Sequence, residues 1–284
     1  MNIIRLSGGL GNQMFQYAFG RKISIQRNEK LMLDISAYNN YQLFKYGLDC
    51  YNIDCDKTNN RLLYNNKYFR KIFRIAASFG FNKLFKYFVE QKLFRFDKNV
   101  LNSKSNYFIG SWQSFKYFED IKDIIANDFS LKATISLECS NMIHQMNASE
   151  SISIHIRRGD YFSDKRTKKY HGILNLEYFD NALQFVTEKI DSPVIFIFSD
   201  DIKWVKENFY TEYPFQFIDK SFGGPEISIH MMTKCKHNII SNSSFSWWGA
   251  WLNQNPDKMV MAPKIWMRNN HSSPDLIPKE WNLL

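Results

Sequence analysis

The run SIHIRRGDY, residues 153–161, carries a histidine and two arginines to the end of an apolar stretch and then turns on a glycine. Arginine offers planar, bidentate, permanently charged donors, so a pair of them leaving a buried strand suits the oxygens of a phosphate. Strand C-termini are also where ligands collect in open α/β sheets. A second run, NSSFSWWGAW at 242–251, reads as a polar turn with N-cap chemistry at Ser243 and Ser244, followed by a helix. Backbone N–H groups and hydroxyls at such a helix start suit an anion as well. Each run has a plainer reading beside it: an arginine paired internally with Asp160, and ordinary capping over a tryptophan-rich core.

The elements that must position these residues alternate regularly. In the first half, strands are expected over 2–6, 31–35 and 107–110, with a glycine turn at 7–12 and helices over 13–26 and from 115–118. Residues 49–60 read as a polar loop, and the basic, aromatic region after them as helical. A junction at 147–151 divides the chain into 1–148 and 149–284. Beyond it, strands at 152–156, 194–198, 215–218, 238–240 and 259–261 alternate with helices at 176–189, 202–208, 226–234 and 245–253. That order implies parallel sheets wound on both faces.

A chain of 284 residues, 44% hydrophobic, can build two modest cores. No run has the apolar length of a membrane span, and MNIIRLSGG lacks a signal-peptide layout, so a cytoplasmic protein is expected. Four cysteines (Cys50, Cys55, Cys139, Cys235) match no zinc spacing and read as reduced thiols. Sequons stand at Asn147 and Asn242, the second inside the candidate anion site. Net charge is +9, and residues 61–96 hold nine basic residues against one acid, Glu90. With aromatics between the cations, this segment suits peripheral contact with anionic lipid headgroups, or else two amphipathic helices with their rings packed inside. No nucleic-acid-binding motif accompanies it, so nucleic acid is not an expected partner.

Four motifs in order, GGLGNQMFQYAFG (8–20), HIRRGDY (155–161), FSDD (198–201) with Trp204 beyond it, and CKHNIISNSSFSWWGAWLN (235–253), resemble the bacterial α-1,2-fucosyltransferases of glycosyltransferase family 11. The resemblance spans residues 8–253. It implies the GT-B fold: two Rossmann-like α/β domains facing across a cleft, the first on the acceptor side and the second binding GDP-fucose. The implied reaction is inverting transfer of L-fucose to the 2-hydroxyl of a terminal galactose in a bacterial surface glycan such as an O-antigen. A free or lipid-linked acceptor oligosaccharide follows, the latter giving residues 61–96 a purpose at the membrane face. Arg157 matches the arginine that related enzymes place on the donor phosphate, while His155 and Asp200 match positions that recognise guanine.

Such a transfer must stabilise a departing diphosphate and an oxocarbenium-like sugar. Asp54-Cys55-Asp56 has the string of a metal-binding pair but sits in a polar loop, and adjacent Asp200 and Asp201 point in different directions. Fixed donors are therefore expected, with Arg157 as the clamp and Ser243 and Ser244 beside it, and no metal or other cofactor. Arg158 is a second clamp or the partner of Asp160, and His155 is a guanine contact or a satisfied core histidine. The loop Gly8-Gly9-Leu10-Gly11 lacks the full dinucleotide spacing; Gly9, Gly11, Asn12 and Gln13 read as donor contacts, or as a structural turn. Asp160, His171 and Glu226 are the candidates for the base that takes the acceptor's proton. The competing class is a glycan- or nucleotide-binding module without turnover.

Overall fold

The alternating pattern folds, in the computed structural model, into two units with one parallel sheet each. The structure describes residues 1–40, 43–59, 87–158, 174–267 and 273–284.

The first unit comprises Met1–Lys132 and Ser273–Ile277. Its strands are β1 (Asn2–Arg5), β2 (Leu31–Asp34), β3 (Asp56–Thr58), β4 (Tyr87–Val89) and β5 (Tyr107–Ile109), in the order β3-β2-β1-β5-β4. Helix α1 (Leu10–Arg27) buries Met14, Phe15, Phe19 and Ile23 against them. Gly20 permits the close approach, because a Cβ there would lie 2.4 Å from Ile4 Cγ1. Phe19 stacks on Trp112 with centroids 4.1 Å apart and meets Phe108 edge-on at 5.5 Å. Burying each such ring contributes about 1.5–3 kcal/mol, which fixes the helix over the sheet. Short helices α2 (Lys98–Leu101) and α3 (Lys122–Asp128) follow.

Two sequence expectations are corrected here. Asp56 opens an edge strand inside the expected polar loop, and Tyr87–Val89 is a strand where a helix was expected. The second change has a physical cause: Phe88 and Val89 are buried beside β5, and aromatic and β-branched residues suit a half-buried pleat. Residues 60–86, most of the basic aromatic segment, lie outside the described residues. In its described remainder the rings pack inward, Phe88 and Phe94 buried and Phe96 against Tyr117 at 5.0 Å, while Lys92 and Arg95 are exposed.

The second unit comprises Ala133–Ser272 and Pro278–Leu284. It begins with α4 (Leu137–Ala148), then β6 (Glu150–Ile156), α5 (Leu176–Thr187), β7 (Pro193–Ser199), α6 (Ile202–Asn208), β8 (Phe215–Ile218), α7 (Pro225–Met232), β9 (His237–Ile239), α8 (Ser244–Trp251), β10 (Val260–Ala262) and β11 (Asn282–Leu283). The sheet order is β11-β10-β9-β6-β7-β8. The division falls after Lys132 rather than after 148, because α4 buries Cys139 and Met146 and packs on β6. Ile152, Ile154, Ile195, Ile197 and Ile239 form the core with Phe179 and Val186 of α5. Among the described residues no helix is long and apolar enough to cross a membrane.

Candidate functional site

β6 runs between β7 and β9, so all three strands leave the sheet side by side at its carboxyl edge. Ser199 Oγ joins two of these exits, donating to the Ile156 carbonyl at 2.8 Å and accepting from the Asp201 N–H at 3.0 Å. The Tyr178 hydroxyl, buried on α5, contacts the Ile240 carbonyl at 2.8 Å and so holds the exit of β9. The edge is therefore braced before any functional side chain is placed on it.

His155 is 2% exposed, with Nδ1 2.9 Å from Ser241 Oγ and its ring 5.3 Å from that of Phe245. Burial drives its pKa down to about 3, with Arg157 adding to the shift and Asp200 opposing it, so the ring is neutral at ordinary pH. This is the environment of a satisfied core histidine. Through Ser241 it links the arginine-bearing strand to the turn that opens α8. Ser241 was not singled out in the sequence, although it belongs to the same serine-rich turn.

Arg157 and Arg158 share a carboxylate. Arg157 Nε lies 3.2 Å from Asp200 Oδ2, and Asp200 Oδ1 accepts from the Arg158 backbone N–H at 2.8 Å. The Arg157 and Asp200 side chains are 19% and 21% exposed, so the ion pair is partly shielded from solvent. Arg158 lies over Trp204, 3.7 Å from the ring centroid, and its Nε is 3.8 Å from Asp201 Oδ2. Asp201 in turn caps α6 by accepting from the Trp204 N–H at 3.3 Å. Each Asp200 oxygen thus meets one donor of the protein itself, which braces the arginines and leaves lone pairs on the partly exposed carboxylate for a further donor. Adjacent Asp200 and Asp201 do diverge, as expected, one to each arginine side chain.

Ser243 is the N-cap of α8, accepting from the Phe245 N–H at 3.3 Å, and Ser244 is half-buried in the first turn. Trp247 and Trp248 are wholly buried and hold this helix in place. Asn242 is buried and donates to the Trp266 carbonyl at 3.3 Å, so that sequon side chain lies within the fold. Two guanidinium groups and a helix start at one sheet edge can receive a diphosphate. Of the base candidates, Glu226 is half-buried in the first turn of α7, and Asp160 and His171 lie outside the described residues. Among the described residues no three His, Cys, Asp or Glu side chains cluster to hold a metal.

In the first unit, Gly8 has φ +81° and Gly9 precedes α1 as its N-cap. Gly11 is buried, and Asn12 Oδ1 accepts from Gln113 Nε2 at 2.7 Å. Gln13 departs from the expected donor contact. It is fully buried, its amide nitrogen donating to the carbonyls of Gly8 (3.1 Å) and Lys45 (2.9 Å) and its oxygen accepting from the Gly47 N–H (2.9 Å). Gln16, one turn on, similarly ties Ser7 to the Gly110 carbonyl.

The family model described as Glycosyl transferase family 11 matches residues 1–284. The chain is 36% identical to an alpha-1,2-colitosyltransferase of Escherichia coli, covering 98% of this chain and 97% of that protein. It is 32% identical to the O-antigen biosynthesis glycosyltransferase WbnK of Escherichia coli, covering 94% and 95%. Among solved structures, fucosyltransferase NodZ from Bradyrhizobium aligns with a TM-score of 0.53 at 13% identity, over 87% of this chain and 90% of that one. A variant of FUT1 from Arabidopsis thaliana in complex with GDP aligns at 0.52 and 10% identity, over 92% and 70%. These likenesses are of fold, and they agree with the GT-B class expected from the motifs. Matched from end to end, and more than 30% identical to relatives along nearly all of its length, the chain belongs to glycosyltransferase family 11.

Proposed function

We propose that this chain transfers L-fucose from GDP-fucose, with inversion, to the 2-hydroxyl of a terminal galactose during assembly of a bacterial surface glycan. The observation that carries the reading is Arg157, held by Asp200 at the carboxyl edge of the second sheet, with the α8 start linked to the same strand through His155 and Ser241. The acceptor oxygen forms the new bond to the anomeric carbon, the anomeric C–O bond breaks, and its electron pair leaves on GDP. Arg157, with Arg158 and the α8 start, meets that charge as a fixed donor set, without a metal. The acceptor's proton goes to a base, for which Asp160 and His171 follow Arg157 in the sequence. The second unit takes the nucleotide and the first the acceptor; a lipid-linked acceptor would bring residues 61–96 to a membrane surface. Solved NodZ, described as an alpha-1,6-fucosyltransferase soaked with GDP-fucose, supports the choice of donor.

A second reading is colitosyl transfer, favoured by the 36% identity to an alpha-1,2-colitosyltransferase. Colitose lacks one hydroxyl of L-fucose, and a site that hydrogen-bonds a hydroxyl discriminates strongly against the analogue without it. Comparing kcat/KM for the two GDP-sugars on a galactoside decides between them.

The test is GDP release and product linkage with a galactose-terminated oligosaccharide, for the wild type and Arg157→Ala. The variant is expected to lose at least about 10²-fold in kcat at an unchanged melting temperature. Turnover like that of the wild type sinks the proposal. A chelator is expected to leave the rate unchanged; loss of activity restored by manganese would replace the arginine mechanism with a metal one. Stabilisation by GDP with no transfer to any glycan would mark a binding module.

A further inference from the structure

A cavity of about 330 Å³ opens in the first unit, walled by Glu90, Phe96, Asp97, Asn99, Trp112 and Tyr117 among others. Its volume is at the lower end of the range for small-molecule sites. Glu90 immediately follows β4 and Trp112 lies just beyond β5, so the cavity adjoins the carboxyl ends of two neighbouring parallel strands.

Two further observations point to a ligand. Trp112 has φ +54° and Phe94, beside the Arg95–Asn99 wall, φ +58°. Bulky residues avoid this left-handed region, and strain there gathers at ligand sites. The Glu90 carboxylate, in turn, accepts from the backbone N–H groups of Ser111 (2.6 Å) and Trp112 (3.2 Å). A carboxylate has about four lone-pair positions, so it can accept from hydroxyls besides. Burial pushes the Glu90 carboxyl up to about 7, with the two N–H groups pulling the other way.

We propose that this cavity is a sugar-binding subsite for the acceptor glycan, in which Glu90 accepts from pyranose hydroxyls. The half-buried Phe96 ring suits a C–H face of the sugar, and the Asp97 and Asn99 side chains suit its hydroxyls. The acceptor's identity as a glycan rests on the reading above; the subsite itself is testable without donor.

The test is saturation-transfer NMR with galactose-terminated di- and trisaccharides in the absence of GDP-sugar, followed by steady-state kinetics. Asn99 is exposed, so Asn99→Trp fills the cavity from its rim without entering the core. The wild type is expected to give a saccharide signal that Asn99→Trp and Glu90→Gln abolish. Acceptor KM is expected to rise at least tenfold in both variants, with donor KM and stabilisation by GDP unchanged. A wild type without signal, or Asn99→Trp with wild-type signal and acceptor KM, overturns the subsite. If Glu90→Gln does not fold, Asn99→Trp decides alone. Saccharide binding lost in Asn99→Trp but with no transfer from any GDP-sugar would retain the subsite and reject the transferase reading.

Discussion

His155 Nδ1 and Ser241 Oγ stand 2.9 Å apart, joining the strand that carries the arginines to the turn that opens α8. A neutral, buried imidazole thus braces the anion site from below. A charge on that ring would be both desolvated and set beside Arg157.

Acid should therefore loosen the second unit. The folded pKa of His155, about 3, lies below its unfolded value of about 6.5, so the unfolded chain takes up the proton first. Its stabilising contribution is complete above about pH 6.5 and declines as pH falls toward 3, by up to about 1.4 kcal/mol per unit. His230 and His237, also shifted down by burial, act in the same direction. Urea midpoints between pH 7 and pH 5 should fall less steeply for His155→Gln than for the wild type. Identical slopes would assign the acid sensitivity to other groups.

Asp200→Asn should keep an acceptor for the Arg158 N–H but lose the ion pair that aims Arg157. A kcat about 10²-fold lower is expected, equivalent to about 2.7 kcal/mol of barrier. The preference for GDP over other nucleoside diphosphates should be unaffected, as measured by displacement titration. Collapse of that preference would return Asp200 to the role of reading guanine.

Gln13→Leu should act on stability rather than on donor affinity. It removes the partners of two carbonyls and one N–H in the buried turn around Gly8 and Gly47. A loss of about 2 kcal/mol is expected, lowering the melting temperature by about 4–8 °C. A donor KM raised tenfold with no change in melting would restore the substrate contact.

What the sequence made legible was repetitive structure. Ile202–Asn208 and Phe215–Ile218 occupy their expected bounds, because apolar periodicity and flanking turn residues act locally. Helix Leu137–Ala148 carries no such stripe: Leu137 is 77% exposed, and its buried residues are Cys139 and Met146. The boundary was misplaced for that reason. The strand Tyr87–Val89 was hidden by the aromatic, basic composition around it. At the candidate site, residue types pointed to Arg157, Arg158 and the serine turn, and the family resemblance to Asp200. They did not reveal that Ser241 meets His155, or that each Asp200 oxygen meets a donor of the protein itself, because side-chain direction depends on strand register between segments far apart in the chain.

Asp275, nine residues before the last, accepts from the Phe96 N–H at 2.8 Å and pairs with Lys116 at 2.5 Å, so a late stretch of chain closes the first unit. During synthesis from the N-terminus, the wall bearing Phe96 and Asn99 has no such anchor until that stretch leaves the ribosome. By then every strand from β1 to β10 has already emerged. The first unit is thus closed only after most of the second has been made, and the second in turn gains its last strand, β11, a few residues later.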